Sequence, residues 1–197
     1  MEALRREAGI SDAAVNAIAA VPRELFVPAP FSELVYADVA LQLGEGATIS
    51  APSMVAAMIS AMRPAAGLRV LEIGAGSGYA AAAMAAAGME VVGVEISPIL
   101  ARQARAAIDR AGYADRVTVE IGDGMAGWPP GAPYDRVVAS AAVAALPQAW
   151  LEQVVEGGLI VYPESGAEWD MLVRVERLET GWRREDVQPC RFVRMQV

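Results

Sequence analysis

The sequence predicts a doubly wound α/β fold, a parallel sheet with helices on both faces and a C-terminal antiparallel hairpin. Three observations predict it. Short β-branched and aliphatic runs at 69–73, 90–95, 117–121, 134–140 and 159–162 alternate with helix-like segments, the signature of parallel βαβ units with right-handed crossovers. The first run opens directly into closely spaced glycines, Gly74, Gly76 and Gly78. Two late runs, Met171–Arg177 and Cys190–Val197, follow with no helix between them, so a hairpin closes the sheet.

Taken in order, Ser11-Asp12 starts a helix over 11–20. Val21–Pro28 is a proline-bounded turn with apolar anchors. Pro52 to about Met62 reads as a helix that Ser50 is positioned to cap. Strand Arg69–Ile73 leads through the glycines into an alanine-rich helix ending at Ala87. Strand Glu90–Glu95, helix Pro98–Ala111, strand Val117–Ile121, strand Tyr134–Ser140, helix Leu146–Val155 and strand Leu159–Tyr162 complete the alternation. No repeat, low-complexity tract or linker interrupts the chain, so residues 1–197 are expected to form one domain, 1–62 a helical cap and 63–197 the α/β core.

The hydrophobic content of 55% is inflated by alanine. No apolar run reaches the roughly 18–20 residues of a spanning helix, and Met1–Glu7 is no secretory signal, so no membrane partner is expected. The single cysteine, Cys190, suits a reducing, cytoplasmic setting and reads as core. A net charge of −8 repels nucleic-acid backbones. All 16 basic residues are arginine. The absence of lysine and histidine excludes Schiff-base chemistry, histidine triads, histidine–zinc sites and P-loop lysines, and no metal site is expected.

Val70-Leu-Glu-Ile-Gly-Ala-Gly-Ser-Gly-Tyr79 carries the strongest chemical signal. Glycine lets the backbone approach a ligand closely, and the next helix N-terminus offers free N–H groups. Glu95 ends the following strand about twenty residues on, where a carboxylate can hold ribose hydroxyls. A dinucleotide fingerprint needs its third glycine where Tyr79 stands, so an adenosyl group without a second phosphate half fits better. Asp123, in Gly122-Asp-Gly124, can accept from an adenine amino group or simply make a turn.

These residues fall among others in a telling order: Val-Pro-Arg-Glu-Leu-Phe-Val-Pro at 21–28, Tyr36-Ala-Asp38, Ala-Thr-Ile-Ser-Ala-Pro at 47–52, Leu-Glu-Ile-Gly-Ala-Gly-Ser-Gly-Tyr at 71–79, Gly-Asp-Gly at 122–124, Ala-Pro-Tyr-Asp at 132–135 and Glu-Gly-Gly at 156–158. The series resembles the protein-L-isoaspartate O-methyltransferases. Arg191-Phe-Val resembles that family's closing strand. The resemblance implies a Rossmann-like methyltransferase that uses S-adenosyl-L-methionine, releases S-adenosyl-L-homocysteine and esterifies the free carboxylate of an isoaspartyl residue in a peptide or protein. It implies cofactor contacts from Thr48, Ile49, Ser50, Glu72, Gly74, Ala75, Gly76, Gly78, Glu95, Ile96, Asp123 and Gly124, with residues 48–50 covering cofactor and substrate. Ser50 matches the family's active-site serine, and a monomer is expected.

The chain departs from the family pattern at Ser140–Pro147, Glu164-Ser165 and Arg194. Glu164 would repel an acidic substrate unless Arg194 pairs with it. These departures leave open a relative specialised for an aspartate in a biosynthetic peptide or for a small natural-product acid. A nicotinamide-dependent oxidoreductase and a non-catalytic cofactor-binding module are the remaining alternatives.

Overall fold

The computed structural model describes residues 2–7 and 9–196. Helix α1 (Glu2–Arg5) precedes α2 (Asp12–Ala20), whose N-cap Ser11 accepts from the Ala14 N–H as the sequence predicts. A hairpin that the periodicity does not reveal follows: β1 (Leu41–Gly44) pairs antiparallel with β2 (Ala47–Ile49). Its strands are too short for an alternating pattern to stand out, and the turn places Glu45 and Gly46 at positive φ. Helix α3 (Pro52–Ala61) comes next. Ser50 does not cap it. Pro52 occupies the first helical position, so Ala51 is the N-cap, one residue after the serine. The Ser53 N–H donates instead to the Asp38 carboxylate at 2.9 Å, which closes the helix end from across the chain.

The α/β part runs β3 (Arg69–Ile73), α4 (Tyr79–Ala86), β4 (Glu90–Glu95), α5 (Pro98–Arg110), β5 (Val117–Ile121), β6 (Tyr134–Ala139), α6 (Gln148–Glu152), β7 (Val154–Glu164), β8 (Asp170–Arg177) and β9 (Trp182–Cys190). The seven strands are ordered β5-β4-β3-β6-β7-β8-β9. The first five are parallel, and β8 and β9 add antiparallel. Strand order reverses between β3 and β6, which places a crevice beyond their C-terminal ends. The two-residue period sorts each strand between two cores. Val70, Val91 and Val138 pack with α3, α4 and α5, whereas Leu71, Val94 and Val137 pack on the other face with Trp150 of α6.

Two boundaries differ from expectation. The helix expected over 146–155 stops at Glu152, and β7 begins at Val154. The Tyr134 N–H takes the Gln153 carbonyl at 2.8 Å, so the β-branched pair Val154-Val155 enters the sheet. The final strand is Trp182–Cys190 rather than Cys190–Val197. It is an edge strand exposed over residues 182–186, and its polar run hides it from hydrophobic periodicity. After Cys190 the chain leaves the sheet but stays tied to Asp170 of β8 through the Phe192 N–H and the Arg194 guanidinium, and Arg194 bridges to Ala142 in the loop after β6; Val197 lies outside the described residues. No described helix is long and apolar enough to cross a membrane.

Candidate functional site

The turn after β3 is built by backbone hydrogen bonds. The N–H groups of Gly74 and Ala75 both reach the Val94 carbonyl, at 2.8 and 3.2 Å. The chain then turns at Gly76, whose φ of +54° favours glycine and whose N–H donates to Glu95 Oε2 at 2.8 Å. The other Glu95 oxygen accepts from the Ser97 N–H at 2.9 Å. Glu95 is thus fixed at both oxygens, and each keeps lone-pair capacity for a further donor.

Two adjoining recesses open at the crevice. The outer one is lined by Thr48, Gly74, Gly76, Glu95, Ile96 and Gly124, together with residues 45–47 and 193–196. The inner one is lined by Thr48, Ile49, Ser50, Glu72, Ala75 and Tyr79 among others. Thr48, Gly74, Gly76 and Ser140 border both.

Glu72 is the anomalous group of the inner recess. It is 1% exposed, one oxygen accepts from Ser140 Oγ at 3.3 Å, and Oε2 has no partner among the described residues. Burial pushes its carboxyl up to about 8; the Ser140 hydroxyl opposes that rise and the Glu95 charge adds to it. A buried polar atom without a partner costs several kcal/mol in an apolar medium, which makes Glu72 Oε2 a natural point of attachment for a ligand's polar group.

Opposite it, buried Arg23 fixes the 48–50 segment. Its Nε donates to the Val35 carbonyl and Nη2 to the Ser50 carbonyl, both at 2.9 Å, while the guanidinium lies 4.5 Å from the Tyr79 ring centroid. The Val-Pro-Arg element of the sequence therefore holds the strand that forms the recess wall.

Of the sequence-derived residues, Thr48, Ile49, Ser50, Glu72, Gly74, Ala75, Gly76, Glu95, Ile96 and Gly124 line the two recesses. Gly78 lines neither: it is the N-cap of α4 and faces α5, where an added Cβ would come within 2.8 Å of Ile108 Cδ1. Asp123 is exposed and its Oδ1 accepts from the Met125 N–H at 2.9 Å; this is the turn reading of that residue, and Oδ2 is left over. Ser140 belongs to the site although its local sequence does not mark it. Its signal is its place at the end of β6, legible only once strand order puts β6 beside β3. Glu164 is not paired by Arg194. Arg184 grips both of its oxygens at 2.7 Å, and Arg194 pairs with Asp170 instead. Cys190 is buried, and burial pushes its thiol up to about 12, so it is core. Among the described residues no cluster of metal-ligating side chains occurs.

The family model for protein-L-isoaspartate(D-aspartate) O-methyltransferase matches residues 1–196. A protein-L-isoaspartate O-methyltransferase of Methylorubrum populi is 45% identical over 187 residues, covering 94% of this chain and 87% of that protein. Another, from Hyperthermus butylicus, is 43% identical over 209 residues, with 98% and 85% covered. Among solved structures, a protein-L-isoaspartate O-methyltransferase superposes with a TM-score of 0.88 at 30% identity, over all of this chain and 64% of that one. A Plasmodium falciparum protein described as belonging to the same group, in complex with S-adenosyl-L-homocysteine, shares the fold at a TM-score of 0.84 and 22% identity, over 99% of this chain and 95% of that one.

Proposed function

Because the chain belongs to the protein-L-isoaspartate(D-aspartate) O-methyltransferase family, we propose that it moves a methyl group from S-adenosyl-L-methionine to the free carboxylate of an isoaspartyl residue in a peptide or protein. The observation that carries this reading is the pairing of Glu95, anchored by the Gly76 N–H, with the orphaned Glu72 oxygen in one crevice. Glu95 suits a ribose diol, and Glu72 suits an ammonium group. Thr48, Ile49, Gly74, Ala75, Gly76, Ile96, Asp123 and Gly124 complete the proposed cofactor contacts; Gly78 acts through the placement of α4.

The bound cofactor supplies an electrophilic methyl group. The chain's task is to hold the acceptor in line with it. An acceptor carboxylate is ionised at neutral pH, so no general base is needed, and a chain without histidine or lysine loses nothing. Positioning alone supplies about 7–11 kcal/mol at its best. Ser50, on the segment that Arg23 fixes, is proposed to orient the carboxylate through its hydroxyl. The nicotinamide alternative does not share the family membership and falls away.

We further propose a single domain over 1–197, a monomer, and action in the cytoplasm, supported by the one unpaired, buried cysteine. The net charge of −8 argues against nucleic acid as a partner. The deciding assay offers the protein an isoaspartyl peptide and its aspartyl isomer with S-adenosylmethionine. Methyl ester should form on the first only, and Ser50→Ala should lower kcat by about 10- to 100-fold, the loss of one hydrogen bond to a charged group of about 1.5–3 kcal/mol. Turnover absent on the isoaspartyl peptide would refute the reading.

A further inference from the structure

The outer recess ends in a cation that the proposed chemistry does not use. The C-terminal segment is pinned beside the loop after β6: the Ala142 N–H donates to the Val193 carbonyl at 2.8 Å and the Met195 N–H to the Ala142 carbonyl at 2.9 Å. The loop after β7 joins them, since the Ser165 N–H donates to the Val143 carbonyl at 2.8 Å. All three meet at the C-terminal ends of parallel strands, and Arg194 lines the recess there.

Arg194 is held by one corner only. Its Nη1 donates to Asp170 Oδ1 at 2.5 Å and to Ser165 Oγ at 2.7 Å. Nε and Nη2 have no partner among the described residues. The Arg194 side chain is 60% exposed, whereas that of Asp170 is 3% exposed. Asp170 is also bonded by the Phe192 N–H at 2.9 Å, so its buried charge has a second donor. The nearby Glu164 is occupied on both oxygens by Arg184 and also takes the Tyr162 hydroxyl at 3.1 Å, so it does not compete for Arg194. Arg191, a further nearby cation, lies over the Trp169 ring.

We propose that Arg194 is a specificity residue whose open guanidinium edge receives a second carboxylate of the acceptor, that of an Asp or Glu next to the isoaspartyl residue. A guanidinium with two adjacent free donors matches a carboxylate fork. The reacting carboxylate is a poor match, because Arg194 borders the outer recess and not the inner one that holds Ser50 and Glu72. This inference rests on the isoaspartyl reading and adds a substrate preference to it.

The test compares two isoaspartyl peptides that differ only in Glu or Gln beside the isoaspartyl residue. In the intact protein, the Glu peptide should show a KM about three- to five-fold lower at low salt, a ratio that shrinks in concentrated salt. Arg194→Gln should bring the ratio to about one, and Arg194→Lys, which keeps a cation beside Asp170, should retain part of it. Equal KM values in the unaltered protein overturn the inference without any variant. So does a ratio that survives Arg194→Gln, or a variant whose only change is weaker S-adenosylhomocysteine binding, which would assign Arg194 to the cofactor. If neither peptide is methylated, the isoaspartyl reading fails first and the preference falls with it.

Discussion

Glu72 concentrates the chemistry of the site in one side chain. It lies fully buried on a central strand, so its neutral form is favoured and its carboxyl is raised to about 8. Its folded value exceeds the ordinary value of 4.5, so between those two pH values the folded chain binds more protons than the unfolded chain. Stability from this residue is therefore lost as pH rises from 4.5 to about 8, and is constant above. Glu72→Gln removes that loss and should raise Tm at pH 9 relative to the parent while changing little at pH 5, as scanning calorimetry would show. The same variant should weaken S-adenosylhomocysteine binding about 10-fold or more, because a charge-assisted hydrogen bond contributes about 1.5–3 kcal/mol. In the parent, affinity should rise with pH toward about 8, since the ionised carboxylate is the form that attracts an ammonium. Titration calorimetry showing a pH-independent affinity would remove Glu72 from the cofactor contacts.

The same economy operates at the level of elements, where α4 is seated by a glycine. Gly78 has a φ of +82°, and an added Cβ would stand 2.8 Å from Ile108 Cδ1 and 3.2 Å from Ala104 Cβ of α5. Gly78→Ala should cost about 1–3 kcal/mol by combining backbone strain with overpacking, and should weaken cofactor binding only indirectly, by shifting the turn at 74–76. A urea midpoint unchanged from the parent would show that α4 and α5 can part at no cost. Elements of this kind were legible in the sequence wherever burial is one-sided and regular: α2 with its serine cap, β3 through β6, and the glycine turn between β3 and α4. They were illegible where the signal is long-range. The α3 cap comes from Asp38, fourteen residues before Pro52 in a stretch with no helical pattern of its own, so no local rule finds it. The edge strand β9 is polar because it faces solvent, and α6 gave way to β7 because strand pairing overrode a helical spacing. Within the site, the residues on β3 and β4 could be read from spacing. Ser140 could not, since its proximity to Glu72 exists only through the strand order.

At the scale of the whole molecule, the N-terminal 62 residues and the α/β core behave as one packed body in their contacts. A single hydrophobic cluster runs from Leu4 through α2, α3, α4 and α5 to Cys190. Polar ties cross the same seam: Arg110 Nη2 donates to the Leu25 carbonyl at 3.1 Å and Arg136 Nε to the Met62 carbonyl at 2.6 Å. The inner recess is itself part of the seam, since Ser50 and Thr48 come from one side and Glu72 and Ser140 from the other. Ligand bound there contacts both parts and stabilises their union rather than either alone. Unfolding in urea should accordingly show one transition, with tryptophan fluorescence, which reports only on the core because all four tryptophans lie beyond residue 127, coinciding with hydrogen-exchange protection of α2. S-adenosylhomocysteine at about 100 times its Kd should move both probes together by about 2.7 kcal/mol. Loss of α2 protection at a lower urea concentration than the fluorescence change would instead mean that the N-terminal part opens by itself, and the recess with it.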